Sequence, residues 1–189
     1  MTTAAHKSTH RYALPRPHVS AAATTTTQAV AARYVFAVAR ISLGWIFLWA
    51  FIDKMWGLGH ETTTKQAWIH GGSPTKGFLK MAAAGPLKGF YNSFAGATWA
   101  NYLFMTALAG IGIALIAGIG MRIAATSAVL LLVMMWSAVL PPANNVFMDD
   151  HLIYTALVIG LALTAAGNTL GLGRWWSNTP LVRRYPILK

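Results

Sequence analysis

The sequence predicts an all-α integral membrane protein, a four-transmembrane-helix bundle with an extracytoplasmic loop containing short amphipathic helices between the first two spans. Three observations carry this expectation. The 189-residue chain is only 10% charged and 56% hydrophobic, with a mean hydropathy of +0.49, whereas a soluble domain has about 25% charged residues. Four apolar runs, at 34–52, 99–120, 123–140 and 152–172, approach the ~20 residues that a helix needs to cross a hydrocarbon core of ~30 Å. Basic and acidic residues segregate between alternate connections, as the positive-inside rule requires of a multi-pass chain.

Residues 1–28, rich in Thr, Ala and His, lack an apolar core followed by a small-residue cleavage site, so they are expected as a disordered cytoplasmic tail and not as a secretory signal. The membrane domain then covers 29–172. Its first span begins after Arg33 and ends at Asp53-Lys54, with Trp49 and Trp56 placed for the outer headgroup belt. Arg40 interrupts this span. Its side chain tilts toward the helix N-terminus and can snorkel to headgroups, but an intramembrane charge normally has a partner and marks a site. No other span holds a carboxylate, so that partner is a backbone carbonyl, a hydroxyl such as Ser42 or Thr126, or a bound ligand.

The segment 53–98 is too polar to cross. Ser73-Pro74 reads as a helix start and Gly85 as a stop, while Leu87, Phe90 and Phe94 share one face at helical spacing. Such a segment lies on the outer surface or covers the mouth of the bundle. In the second span Gly110, Ala114 and Gly118 recur at spacing four, as do Ala156, Gly160 and Thr164 in the fourth, and small residues so spaced allow close helix packing in lipid. The short link G-I-G-M-R, 118–122, makes the second and third spans antiparallel neighbours, and the hairpin 141–150 does the same for the third and fourth. No internal repeat is visible, and four spans are few for a single-chain alternating-access transporter.

With four crossings, Lys7, Arg11, Arg16, Arg33, Arg122, Arg174, Arg183, Arg184 and Lys189 share one side; Lys54, Lys65, Lys76, Lys80, Lys88 and all four acids, Asp53, Glu61, Asp149 and Asp150, share the other. Both termini are therefore expected in the cytoplasm, with 173–189 a basic C-terminal tail. A net charge of +11 would also suit nucleic acid, but the charges lie outside the spans in two separated groups, and anionic lipid headgroups account for the inner one. The expected partner is the bilayer, with no nucleic acid.

The chain has no cysteine, which excludes thiolate-ligated iron–sulfur clusters and thiol nucleophiles of its own. Its six histidines form no H-x-x-x-H pair on a helix and none lies mid-span, so neither a haem nor a zinc site is evident, although His60, His70 and His151 could converge on a metal outside the membrane. The methionines are expected as core filler, and there is no phosphate-binding glycine loop or nucleophile elbow.

The most polar stretch near a span is P-P-A-N-N-V-F-M-D-D-H, 141–151. The prolines stop the third span and one aspartate is expected to cap the fourth. The other aspartate, His151, Asn144 and Asn145 remain beside Asp53 and Lys54 at the same end. Two readings stay open: a carboxylate and histidine that protonate a quinone headgroup at the membrane boundary, or a clasp in which Lys54 pairs with Asp149 or Asp150.

Three motifs carry a resemblance: R-I-S-L-G-W-I-F-L-W-A-F-I-D-K at 40–54, A-W-I-H-G-G-S-P-T-K-G-F-L at 67–79, and L-P-P-A-N-N-V-F-M-D-D-H-L-I-Y at 140–154. Over about residues 31–166 the chain resembles the DoxX family, in the branch of DoxD-type membrane subunits of thiosulfate:quinone oxidoreductase. The resemblance implies a four-helix bundle in the plasma membrane of a prokaryote and oxidation of thiosulfate, or a related sulfur compound, at the outer face with electrons passed to quinone. Among the motif residues, Lys54 would attract the dianion and Asp150 and His151 would handle quinone protons. Arg40, Asp53, Trp68, Asn144, Asn145 and Asp149 are the substrate- or quinone-binding candidates, and Gly71 and Gly72 also match. The resemblance further implies a second protein subunit. The alternative is a non-catalytic accessory subunit of a respiratory or redox-protective complex, docking through its small-residue faces, its outer loop or its long ends.

Overall fold

The structure, a computed structural model, describes residues 21–189, with side chains from residue 26 onward. The described residues are helical, with no strand. The principal helices are α1 (Ala21–Trp56), α2 (Lys88–Ser93), α3 (Thr98–Ala117), α4 (Met121–Ala138), α5 (Asp150–Leu163), α6 (Gly173–Ser177) and α7 (Pro180–Arg184). Three segments are long and apolar enough to cross a membrane: Thr26–Trp56, Thr98–Ala117 and Met121–Ala138.

Most of the expected tail, residues 1–20, lies outside the described residues. The rest of it is helical: α1 already begins at Ala21, and no glycine or proline stands between there and the apolar segment to break it. At 36 residues, α1 is about 54 Å long at ~1.5 Å per residue, and residues 28–36 stand exposed beyond the bundle.

α3 packs chiefly on α1, and α4 on α5. The core between them holds Leu43 and Phe47 of α1, Leu108, Ile111 and Leu115 of α3, Leu131 and Leu132 of α4, and Val158 and Leu161 of α5. Close approach of α1 to α3 rests on Gly44 and Gly112. A Cβ on Gly44 would lie 2.9 Å from Leu115 and Ile116, and one on Gly112 would lie 2.7 Å from the Leu48 amide nitrogen. This departs from the expected packing face, since Gly110 and Gly160 have nothing within 4 Å of their missing Cβ positions. Spacing four marks a stripe on a helix but does not say which neighbour meets it.

The fourth apolar run is helical only over the 14 residues of α5, not over 152–172. Thr164 Oγ1 donates to the Gly160 carbonyl of its own helix at 2.8 Å, Ala165 takes a left-handed conformation at φ 49°, and a 3₁₀ turn follows at Ala166–Asn168. The chain from Gly167 to Gly173 then runs against the α3–α4 turn at the end of the bundle.

Residues 173–189 are likewise not a loose tail. Val182 is fully buried, the Arg122 amide donates to the Lys189 carbonyl at 2.8 Å, and Trp176 Nε1 donates to Leu188 O at 2.6 Å. The segment between α1 and α3 folds over the opposite end. Ser73 Oγ accepts from the Lys76 amide at 3.2 Å, the expected cap, but Gly85 opens a 3₁₀ turn at Gly85–Leu87 instead of closing one. Leu87 and Phe90 are exposed, and it is Tyr91 that is buried, among Leu79, Ala83 and Ala138. Its hydroxyl lies 2.5 Å from Ser137 Oγ, and this bond to α4 turns Tyr91 inward.

Candidate functional site

A helix leaves its last four carbonyls without intrahelical partners, and at membrane depth no water supplies them. At the C-terminus of α3 each is accounted for. Gly118, left-handed at φ 72°, turns the chain so that its own amide and that of Ile119 both donate to Ala114 O, at 2.8 and 3.1 Å. Ala117 O accepts from the Leu172 amide at 2.8 Å. The two remaining carbonyls, of Leu115 and Ile116, accept from Arg40 Nη1.

Arg40 comes from α1 and has no exposed surface. Its Nη2 donates to Leu170 O at 2.8 Å and Thr169 O at 3.3 Å, in the unwound segment after α5. One guanidinium thus ties three parts of the chain together, and as a cation it sits at the negative end of the α3 dipole. Room for it depends on glycine, since a Cβ on Gly118 would lie 2.9 Å from Nη1 and one on Gly171 3.0 Å from Nη2. Nε alone finds no acceptor among the described residues. Of the partners open to Arg40 in the sequence, backbone carbonyls are the ones present; the side chain does not run to a headgroup.

At the other end of α1, Asp53 is 2% exposed. It accepts from the amides of Thr62, Glu61 and His60 at 2.8, 3.0 and 3.4 Å. A carboxylate at a helix C-terminus opposes the dipole, and three amide donors offset this by closing residues 57–62 into a loop. Lys54 pairs with Glu61, Nζ to Oε2 3.0 Å, and not with Asp149 or Asp150, because the loop that Asp53 folds back delivers Glu61 to it first. The expected clasp between the first and fourth apolar segments is therefore not made by that ion pair.

In the hairpin, Asp149 is the cap of α5: its Oδ1 accepts from the Leu152 amide at 3.3 Å and its Oδ2 lies 2.7 Å from His151 Nδ1. Asp150 stands exposed on the first helical turn, where the helix dipole favours negative charge. Asn145 Oδ1 accepts from the amides of Phe147 and Met148 at 3.1 and 3.2 Å, and Trp136 Nε1 donates to Phe147 O at 2.8 Å. Asn144 is exposed. Trp68 packs edge-on against Tyr102 at 5.0 Å. Gly71 is left-handed at φ 85°, ending a 3₁₀ turn, and a Cβ on Gly72 would overlap Gln66 O.

Asn101 is a node that sequence reasoning missed. Buried on the first turn of α3, its Oδ1 accepts from Thr75 Oγ1 at 2.7 Å, Ser73 Oγ at 2.9 Å and the Thr75 amide at 3.3 Å. The available signal was a lone amide just inside an apolar run.

His60 stacks edge-on to Trp49 at 5.2 Å, and among the described residues no three His, Asp or Glu side chains converge as metal ligands. An apolar cavity of about 920 Å³ lies between α3 and α4, walled by residues such as Phe104, Gly110, Ile123 and Leu131; Lys54, Asp149, Asp150 and His151 do not line it. What the site can do chemically is limited: an imidazole oriented by a carboxylate stands beside an exposed carboxylate at one end of the bundle. No protein-family model, curated protein or solved structure matches the chain.

Proposed function

We propose that the chain is a DoxX-like membrane subunit that serves a quinone-linked respiratory or redox-protective complex as a non-catalytic accessory component. One observation carries this reading. Arg40, Asp53 and Asp149, conspicuous polar residues of the bundle, are held by backbone groups that each element's end would otherwise leave unsatisfied. They build the molecule, and none of them lines the apolar cavity between α3 and α4. On this reading α5 and the segment after it complete a fourth crossing, with the broken backbone satisfied internally as hydrocarbon demands. The Arg-rich end faces the cytoplasm of a prokaryotic cell and the acidic end faces outward.

A second reading keeps the chemistry in this chain: oxidation of thiosulfate or a related sulfur compound at the outer face, with Lys54 attracting the anion and Asp150 and His151 carrying quinone protons. The Asp149–His151 pair favours it, since a carboxylate oxygen 2.7 Å from Nδ1 fixes the orientation of the ring. The two readings part in one assay. The purified chain in lipid nanodiscs is given thiosulfate and a soluble quinone. The accessory reading expects no thiosulfate-dependent quinone reduction by the chain alone. Turnover by the chain alone, lost in Asp150→Ala or His151→Ala while the helical spectrum is unchanged, would overturn it in favour of the second.

A further inference from the structure

We propose that the molecule holds one anionic phospholipid, with its acyl chains in the cavity between α3 and α4 and its phosphate at the basic end beside α6. This is independent of whether the chain is catalytic. The cavity follows α3 from Trp99 to Ala114 and α4 from Ile123 to Met135, a length of about 20 Å at ~1.5 Å per residue. Its wall is almost wholly apolar, with hydroxyls only from Thr75, Thr106 and Ser127. Thr75 is already engaged by Asn101. A wall of this kind offers a polar ligand no recognition and takes hydrocarbon. Phe78, Phe90 and Phe94 border one end and Trp176 the other, which suits a chain of limited length better than a helix of ~10–12 Å diameter running past both ends.

Beyond Trp176 lies a second cavity, of about 320 Å³, with Arg122, Asn168, Ser177 and Lys189 in its wall. Trp176 borders both cavities, and its indole is fixed by the bond to Leu188 O. Among the described residues the Arg122 side chain makes one donor contact, Nη1 to Pro186 O at 3.3 Å. The same end of the fold carries Arg174, Arg183 and Arg184, while all four acids lie at the opposite end. An apolar channel that meets a basic recess at a tryptophan has the charge and the order of parts of an anionic phospholipid.

The full chain is reconstituted in vesicles of equal phosphatidylglycerol and phosphatidylcholine with matched acyl chains, released in mild detergent, and examined by native mass spectrometry. The expected species is one chain with one phosphatidylglycerol. Each basic group near an anionic headgroup contributes roughly a factor of five, so the preference should fall roughly 25-fold in Arg122→Gln/Lys189→Gln. Gly110→Phe should lose both lipids, because nothing lies within 4 Å of the Gly110 Cβ position and the ring enters the channel without moving a helix. Phosphatidylglycerol bearing a photoactivatable acyl chain should label peptides of α3 and α4 in the unaltered protein, which removes dependence on the folding of any variant. Absence of retained lipid, equal retention of the two lipids, labelling elsewhere, or a lipid-free dimer in which a second copy fills the channel would each overturn the proposal.

Discussion

Asp149 and Asp150 are adjacent and chemically alike, yet their surroundings differ. Asp149 gives one oxygen to the Leu152 amide and the other to His151, whereas Asp150 is exposed on the first turn of α5. Removing an N-cap acceptor costs about 1 kcal/mol, up to ~2. Asp149→Ala should therefore lower the thermal midpoint measurably, and Asp150→Ala should leave it nearly unchanged. Equal effects in a paired melting experiment would show that the cap is misassigned. The need for a cap was legible in the sequence, from the prolines before it and the apolar run after it. Which aspartate takes the role was not, because either register places a carboxylate at the helix start. The partner of Lys54 was hidden for a different reason: Glu61 is brought to it by amides folding onto Asp53, a backbone event that composition does not encode.

Between elements, close packing depends on which glycine lies at the crossing. Gly110 and Gly112 share helix α3, but only Gly112 faces α1, with the Gly44 carbonyl 3.0 Å from its missing Cβ. Gly112→Ala should destabilise by about 1–3 kcal/mol through overpacking, while Gly110→Ala should be neutral or gain up to about 1 kcal/mol in helix propensity. Chemical unfolding in detergent micelles measures both, and a larger loss at Gly110 would contradict the packing described. The extents of α3 and α4 were close to legible, since each is an apolar run bounded by glycine or proline. The stop of α5 was not. Gly167-Asn168 mark a weak end of the run, but the helix already ends at Leu163, before Thr-Ala-Ala, and a break there makes physical sense only beside Arg40 and the α3–α4 turn, which supply the bonds that unwound backbone requires. For the same reason the inward turn of Tyr91 was not legible, since it rests on the contact with Ser137 of α4.

Among the described residues, the acids gather at one end and the arginines other than Arg40 at the other, and four crossings follow if α5 and its unwound continuation pass through the bilayer. The chain has no cysteine, so single cysteines report topology directly. In intact cells a membrane-impermeant maleimide should label Asn144→Cys, and should label Ser177→Cys only after permeabilisation. Labelling of both from one side would reduce the chain to three crossings. The central claim is that the intramembrane charge is architecture: Arg40 joins α1, the end of α3 and the segment after α5 through four carbonyls. The measurement that tests this most directly is the unfolding free energy of Arg40→Ala and Arg40→Lys beside the unaltered chain in the same nanodiscs. Each buried acceptor left unpaired costs about 1–3 kcal/mol, so Arg40→Ala should lose at least ~3 kcal/mol or fail to accumulate. Arg40→Lys, which keeps the charge without the planar fork, should fall between. An Arg40→Ala protein that accumulates and unfolds like the unaltered chain would contradict the account and return Arg40 to the candidates for ligand binding.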